Sequence, residues 1–249
     1  MYQIPGHILL SHEVLLYIRK PGKPGFRFVL IRLKVKFVKS IFMTFSVEDL
    51  DDQMKYRLFL TIPYKNLIQF VFEYLKKKSG LMLLFWFLCL LFLCFALIIR
   101  IKVGGNFPFA HILLHSFIGM IVLPLICIPL HELLHVIPYY LSGAKNIRVG
   151  MDLKQYLFYV TANRYVATPI QFRIVAWTPF LIISTGVVFL VFLLPGLWKW
   201  SLSLFLFAHA TMCAGDFALL NLYYLNRDKK IYTWDDVDKK EAYFYEELS

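Results

Sequence analysis

Cysteine and acid are both sparse in this sequence. The four cysteines, Cys89, Cys94, Cys127 and Cys213, all lie in apolar stretches, and no two form a Cys-x-x-Cys pair. That excludes a disulfide framework and reads as packing by small apolar side chains. Cys127 stands four residues before His131 and can share its helix face, but packing is its simpler role. Asp and Glu number 16 against 27 Lys and Arg, for a net charge of +11. The bases gather beside apolar runs, so anionic headgroups account for them and no nucleic-acid partner is implied. Residues 1–18 carry no basic leader and no long apolar core, so they do not read as a secretory signal. Internal repeats and low-complexity tracts are also missing.

What the sequence has instead is apolar length. Of 249 residues, 59% are hydrophobic, and the mean hydropathy of +0.61 is too high for an ordinary soluble domain. The expected fold is mainly α: a polytopic membrane protein with about four transmembrane helices, a small β-rich N-terminal region and a cytoplasmic β-hairpin between the second and third helices. Candidate spans are 81–99, 109–141, 174–194 and 197–225, each near or above the ~20 residues that cross a bilayer core. The second is too long for one straight crossing and contains Pro124 and Pro129, which predicts a kink or break. Trp198 and Trp200 read as interface anchors at the start of the fourth.

Residues 1–79 read as a cytoplasmic β-rich region ending in an amphipathic helix, and 80–249 as the membrane domain. Between 29 and 37, Val29, Ile31, Leu33, Val35 and Phe37 alternate with Arg32, Lys34 and Lys36, the period of a half-buried strand. Pro21, Gly22, Pro24 and Gly25 mark a turn before it. Leu67, Phe70, Val71 and Tyr74 follow helical spacing. Residues 147–165, with a turn signal near Asn163, read as the hairpin. Lys and Arg number 14 before the first span, 5 between the second and third and 5 after the fourth. Only Arg100, Lys102 and Lys199 fall on the other side, which places both termini in the cytoplasm. The expected setting is a multi-pass protein of the bacterial cytoplasmic membrane.

Within the second apolar stretch stands His131-Glu132-Leu133-Leu134-His135. Two histidines at i and i+4 project from one helix face and can hold one zinc ion, with Glu132 beside them as general base. Ionisable groups are costly in lipid, which favours a functional reading over chance. A third ligand is required. No Glu follows Glu132 until Glu241, no third His follows at metzincin spacing, and His111 and His115 fall on the opposite helix face. His209, Asp216 and the loop residue Asp152 remain. Asp216 is a lone carboxylate in the fourth span. At ~1.5 Å per residue it lies roughly 10–17 Å below the same boundary as His131 and His135. Gly215 is expected to permit close helix approach. His209, seven residues before Asp216, reads as a ligand, a partner of a ligand, a donor to the transition state, or a satisfied interhelical histidine. Asn163 and Arg164 could meet substrate but read first as surface residues. The hairpin offers an edge strand to an extended peptide.

The pattern resembles the putative zincin peptidase family, first catalogued as a domain of unknown function. The resemblance rests on the His131–His135 motif, the hairpin leading to Thr178-Pro179, Ala214-Gly215-Asp216 and the acidic-aromatic Trp234-Asp235-Asp236. It covers roughly residues 120–245. More distantly the sequence is similar to site-2-type intramembrane metalloproteases, which implies zinc on His131, His135 and Asp216 with Glu132 catalytic. The sequence departs from that pattern in having Gly215 before the Asp and Phe217 after it. The expected function is a membrane-embedded zinc metallopeptidase that cleaves membrane-associated proteins or peptides, a transmembrane helix among them, near the cytoplasmic face. A metal-binding or transport protein, or an inactive substrate-binding relative, is the alternative.

Overall fold

In the computed structural model, residues 44–103, 105, 107–152 and 157–248 are described. The strand expected at 29–37 and the turn before it lie outside them. Helix dominates. After a 3-10 turn at Glu48–Asp51 come β1 (Tyr56–Pro63), a second 3-10 turn and α1 (Leu67–Lys76). Then follow α2 (Gly80–Val103), α3 (Phe109–Phe117), a π-helical stretch at Ile118–Val122 and α4 (Leu123–Leu141). A hairpin of β2 (Ile147–Asp152) and β3 (Leu157–Ala162) precedes α5 (Pro169–Leu193), α6 (Leu197–Met212) and α7 (Ala214–Leu225). The chain closes with β4 (Ile231–Asp236) and β5 (Glu241–Glu247).

Among the described residues, three helices are long and apolar enough to cross a membrane: α2, the run Phe109–Leu141, and α5. There are four if α6 and α7 count as one span. The protein is thus a membrane protein with three to four spanning helices. Leu83, Trp86, Phe87 and Leu90 on α2, and Leu130, Leu133 and Ile137 on α4, are exposed, as a lipid-facing surface requires. The fourth span differs from the single helix expected, because α6 and α7 meet at a 45° bend. The break expected at Pro124 takes a milder form. Phe109–Leu141 stays helical throughout, and the π stretch just before Pro124 absorbs the missing N–H.

Close helix approach falls at Gly119 and not at Gly215. A Cβ on Gly119 would overlap the Ser201 carbonyl oxygen and come 2.9 Å from the Leu204 Cβ, whereas one on Gly215 meets nothing within 4 Å. Trp200 is also no lipid-facing anchor. It is buried and its Nε1 donates to Ser116 Oγ at 2.8 Å. Trp198 is half exposed and packs edge-on against His115.

The C-terminal segment forms two strands. β5 lies between β1 and β4 in an antiparallel sheet. Its Ala242, Phe244 and Glu246 alternate inward, and Phe244 joins Ile62 and Ile231 against Phe70, Phe172, Leu222 and Tyr223. The β2–β3 pairing runs from Ile147 opposite Ala162 to Asp152 opposite Leu157, so Asn163 follows β3 and is not the hairpin's connection. Asn163 is buried, and its Oδ1 accepts the Val237 N–H at 3.0 Å. Arg164 pairs with Glu48 at 3.5 Å.

Candidate metal centre

The site is built on α4. His131, Leu134, His135, Pro138 and Tyr139 form its buried stripe, with the i, i+3, i+4 spacing of one helix face. Glu132 sits at the edge of that stripe, half-buried. Gly143, at φ 97°, ends the helix region in the left-handed conformation. There the N–H of Ala144 turns back to the Tyr139 carbonyl at 3.0 Å.

α5 and α7 supply the facing groups. α5 begins with a capping box. Thr168 Oγ1 accepts the Gln171 N–H, Gln171 Oε1 accepts the Thr168 N–H, and Pro169 stands at the first helical position. Further along, the Val175 carbonyl accepts from His135 Nδ1 at 3.0 Å. In a regular helix that carbonyl would accept from residue 179, but Pro179 has no N–H. The bond to Val175 puts the His135 proton on Nδ1 and leaves Nε2 with a free lone pair.

The bend after Met212 starts α7 afresh, with Asp216 in its first turn, where a carboxylate is favoured by the unsatisfied N–H groups. Asp216 Oδ1 lies 3.4 Å from His135 Nε2, and Oδ2 lies 3.2 Å from His131 Nε2. Oδ2 is buried and makes no hydrogen bond. For His135, two lone-pair donors therefore face each other with no proton between them. A cation resolves that arrangement. Zinc bonds of about 2.0–2.2 Å at tetrahedral angles set neighbouring donors about 3.3 Å apart, which both separations match. Donor atoms of His131, Glu132 and His135 also lie within 4.8 Å of one another. The residues present fit zinc.

Two more donors lie on the far side of His131. His209 Nε2 is 3.4 Å from His131 Nδ1, and Cys213 Sγ is 3.8 Å from His209 Nε2. The sequence signal for Cys213 was its spacing, four after His209 and three before Asp216. Cys127 packs among Leu134, Ile183 and Leu202. His115 bonds Ser201 at 2.8 Å, away from the site. Asp152 lies in β2, opposite Leu157.

A cavity of about 470 Å³ opens over the cluster, within the usual range for ligand sites. His131, Glu132, His135 and Asp216 line it, with Tyr159 and Val160 of β3 on one side and Ile68 and Phe72 of α1 on another.

No curated protein and no solved structure matches the chain. Residues 124–231 match the model of a family described as a putative zincin peptidase. That stretch, similar to the putative zincin peptidase family, holds every donor of the cluster.

Proposed function

We propose that the protein is a membrane-embedded zinc metallopeptidase that hydrolyses peptide bonds of membrane-associated proteins near the cytoplasmic face. The observation that carries this reading is the convergence of both Asp216 oxygens on His131 Nε2 and His135 Nε2, with Glu132 at the same cavity wall. His131, His135 and Asp216 would hold the ion. Bound zinc supplies Lewis acidity toward the scissile carbonyl.

The remaining work falls to the chain itself. Glu132 takes a proton from the attacking water and returns it to the departing amine. Val175 fixes the ring of His135, and the apolar walls of the cavity limit bulk water. Among the described residues β3 pairs with β2 alone in its sheet, and Tyr159 and Val160 line the cavity. An extended substrate segment added along β3 would present its backbone to Glu132. The Lys and Arg asymmetry supports a cytoplasmic location for both termini and a site opening to that side.

A transport reading needs a polar path. α5 has no ionisable residue between Trp177 and Leu194, which counts against it. The test is Glu132→Gln. Membranes holding the wild type should accumulate new peptide N-termini, counted by mass spectrometry. The variant should produce about 100-fold fewer or less while binding zinc equally. Equal cleavage by the variant would overturn the peptidase reading, and loss of zinc with cleavage intact would overturn the role of the cluster.

A further inference from the structure

His131 faces donors with both of its ring nitrogens. Its Nε2 meets Asp216 at 3.2 Å and its Nδ1 meets His209 Nε2 at 3.4 Å. His209 is fully buried and its Nδ1 has no partner, so all of its polar contact is made through Nε2. That nitrogen is shared with the thiol of Cys213 at 3.8 Å, which is also fully buried. His131, His209 and Cys213 each place one donor atom within 4.8 Å of the others. Tetrahedral zinc with two nitrogens and one sulfur sets the edges at about 3.3 and about 3.6 Å. The observed 3.4 and 3.8 Å suit an ion of that size or slightly larger.

We propose that His131, His209 and Cys213 form a second metal position that takes thiophilic divalent ions and excludes metal from the first. The exclusion rests on the reading of the first position given above and follows from ring chemistry. A neutral imidazole has one lone-pair nitrogen and one N–H. When Nε2 binds on the Asp216 side, Nδ1 carries the proton. When Nδ1 binds on the Cys213 side, the proton moves to Nε2. Binding there also releases the thiol proton of Cys213 to solvent, so one divalent ion enters as one proton leaves.

The two positions differ in donors and access. The first has two nitrogens and a carboxylate at a cavity; the second has two nitrogens and a sulfur. Neither His209 nor Cys213 lines the cavity, and closed sites hold metal without offering it to substrate. Sulfur selects softer ions, so cadmium should favour the second position and zinc the first. An ion drawn across His131 would leave Glu132 with no activated partner, and the protein would be silenced by soft metals.

The test uses the full chain purified in detergent micelles and titrated separately with Cd²⁺ and Zn²⁺. The wild type should bind one cadmium per chain with a near-ultraviolet thiolate-to-cadmium absorption band, and added cadmium should displace zinc. Cys213→Ser should lose the band and bind cadmium at least about tenfold more weakly, with zinc affinity changed by less than about threefold. His209→Asn should weaken cadmium in the same way, which guards against a misfolded serine variant. His135→Ala should weaken zinc and keep the cadmium band. A wild-type complex without the band, a band that survives Cys213→Ser, or simultaneous binding of both metals would overturn the proposal. Should His135→Ala leave zinc binding unchanged, the reading of the first position would fail instead.

Discussion

Pro179 orients His135 through a single carbonyl. Because Pro179 has no N–H, the Val175 oxygen is left over by its own helix, and His135 Nδ1 takes it at 3.0 Å. Pro179→Ala would return a competing donor to that oxygen. The expected outcome is zinc affinity reduced about tenfold, the usual order for loss of a partner that orients a ligand. Competition against a chelator measures it. Unchanged affinity would mean that packing alone holds the ring.

At Gly119 the backbone comes against the Ser201 carbonyl with no room for a Cβ. The obstacle is backbone, so it cannot swing aside as a flexible side chain would. Gly119→Ala should destabilise the protein by about 1–3 kcal/mol, the range for overpacking. Gly215→Ala serves as the control, since the space beside Gly215 is open. Thermal melts in detergent should separate the two, and equal melting points would contradict the packing assigned to Gly119.

Asn221 fastens α1 to α7. Its Nδ2 donates to the Tyr74 carbonyl at 2.8 Å, and its Oδ1 accepts from Ser79 Oγ at 2.6 Å. Ser79 Oγ in turn accepts the Met82 N–H at 3.0 Å, at the start of α2. Asn221→Ala removes the partner of the part-buried Tyr74 carbonyl and of the Ser79 hydroxyl proton, at a cost of about 1–3 kcal/mol. Trypsin should then cut at Lys76, Lys77 or Lys78 about tenfold faster through local opening. An unaltered cutting rate would show that apolar packing suffices to hold α1.

The three-stranded sheet should be sensitive to acid through Glu246. Its carboxylate forms ion pairs with Lys229 at 2.9 Å and with Arg57 across to β1. Lys229 first, and then Arg57, hold its pKa below the ordinary Glu value against the opposing effect of burial. A depressed carboxyl pKa gives stability that is present above the unfolded value of about 4.3 and lost as pH falls through the folded one. Glu246→Gln should lower the melting point at pH 7 and flatten its decline below pH ~4.5. A decline of the same size in both proteins would assign the acid sensitivity elsewhere. Both partners are partly exposed, so added salt should reduce the effect.

The residues that span the membrane were the most legible in the sequence. A lone carboxylate and paired histidines in apolar helices advertise themselves, and His131, His135 and Asp216 do meet. Less legible was whatever depends on backbone left unpaired. Nothing in the string of letters says that Pro179 frees Val175 for His135, or that the fourth span bends at Cys213. The C-terminal strands were hidden because Glu241, Glu246 and Glu247 interrupt the apolar alternation, although Glu246 is buried against two cations. Gly215 looked like a packing glycine, but the tight contact belongs to Gly119, whose partner Ser201 lies on another helix. Tertiary partners decided each of these outcomes, and local pattern does not encode them.

The strand order of the sheet also bears on when the protein finishes folding. β5 is the middle strand, and Tyr56 pairs with Glu247. During synthesis β1 emerges early, and all the apolar helices follow it before residues 241–247 exist. β1 therefore waits, an open edge beside a membrane, until a partner almost two hundred residues downstream arrives. Closure of so long a loop is slow in principle, so the unpaired β1 edge is exposed for as long as the helices take to be made.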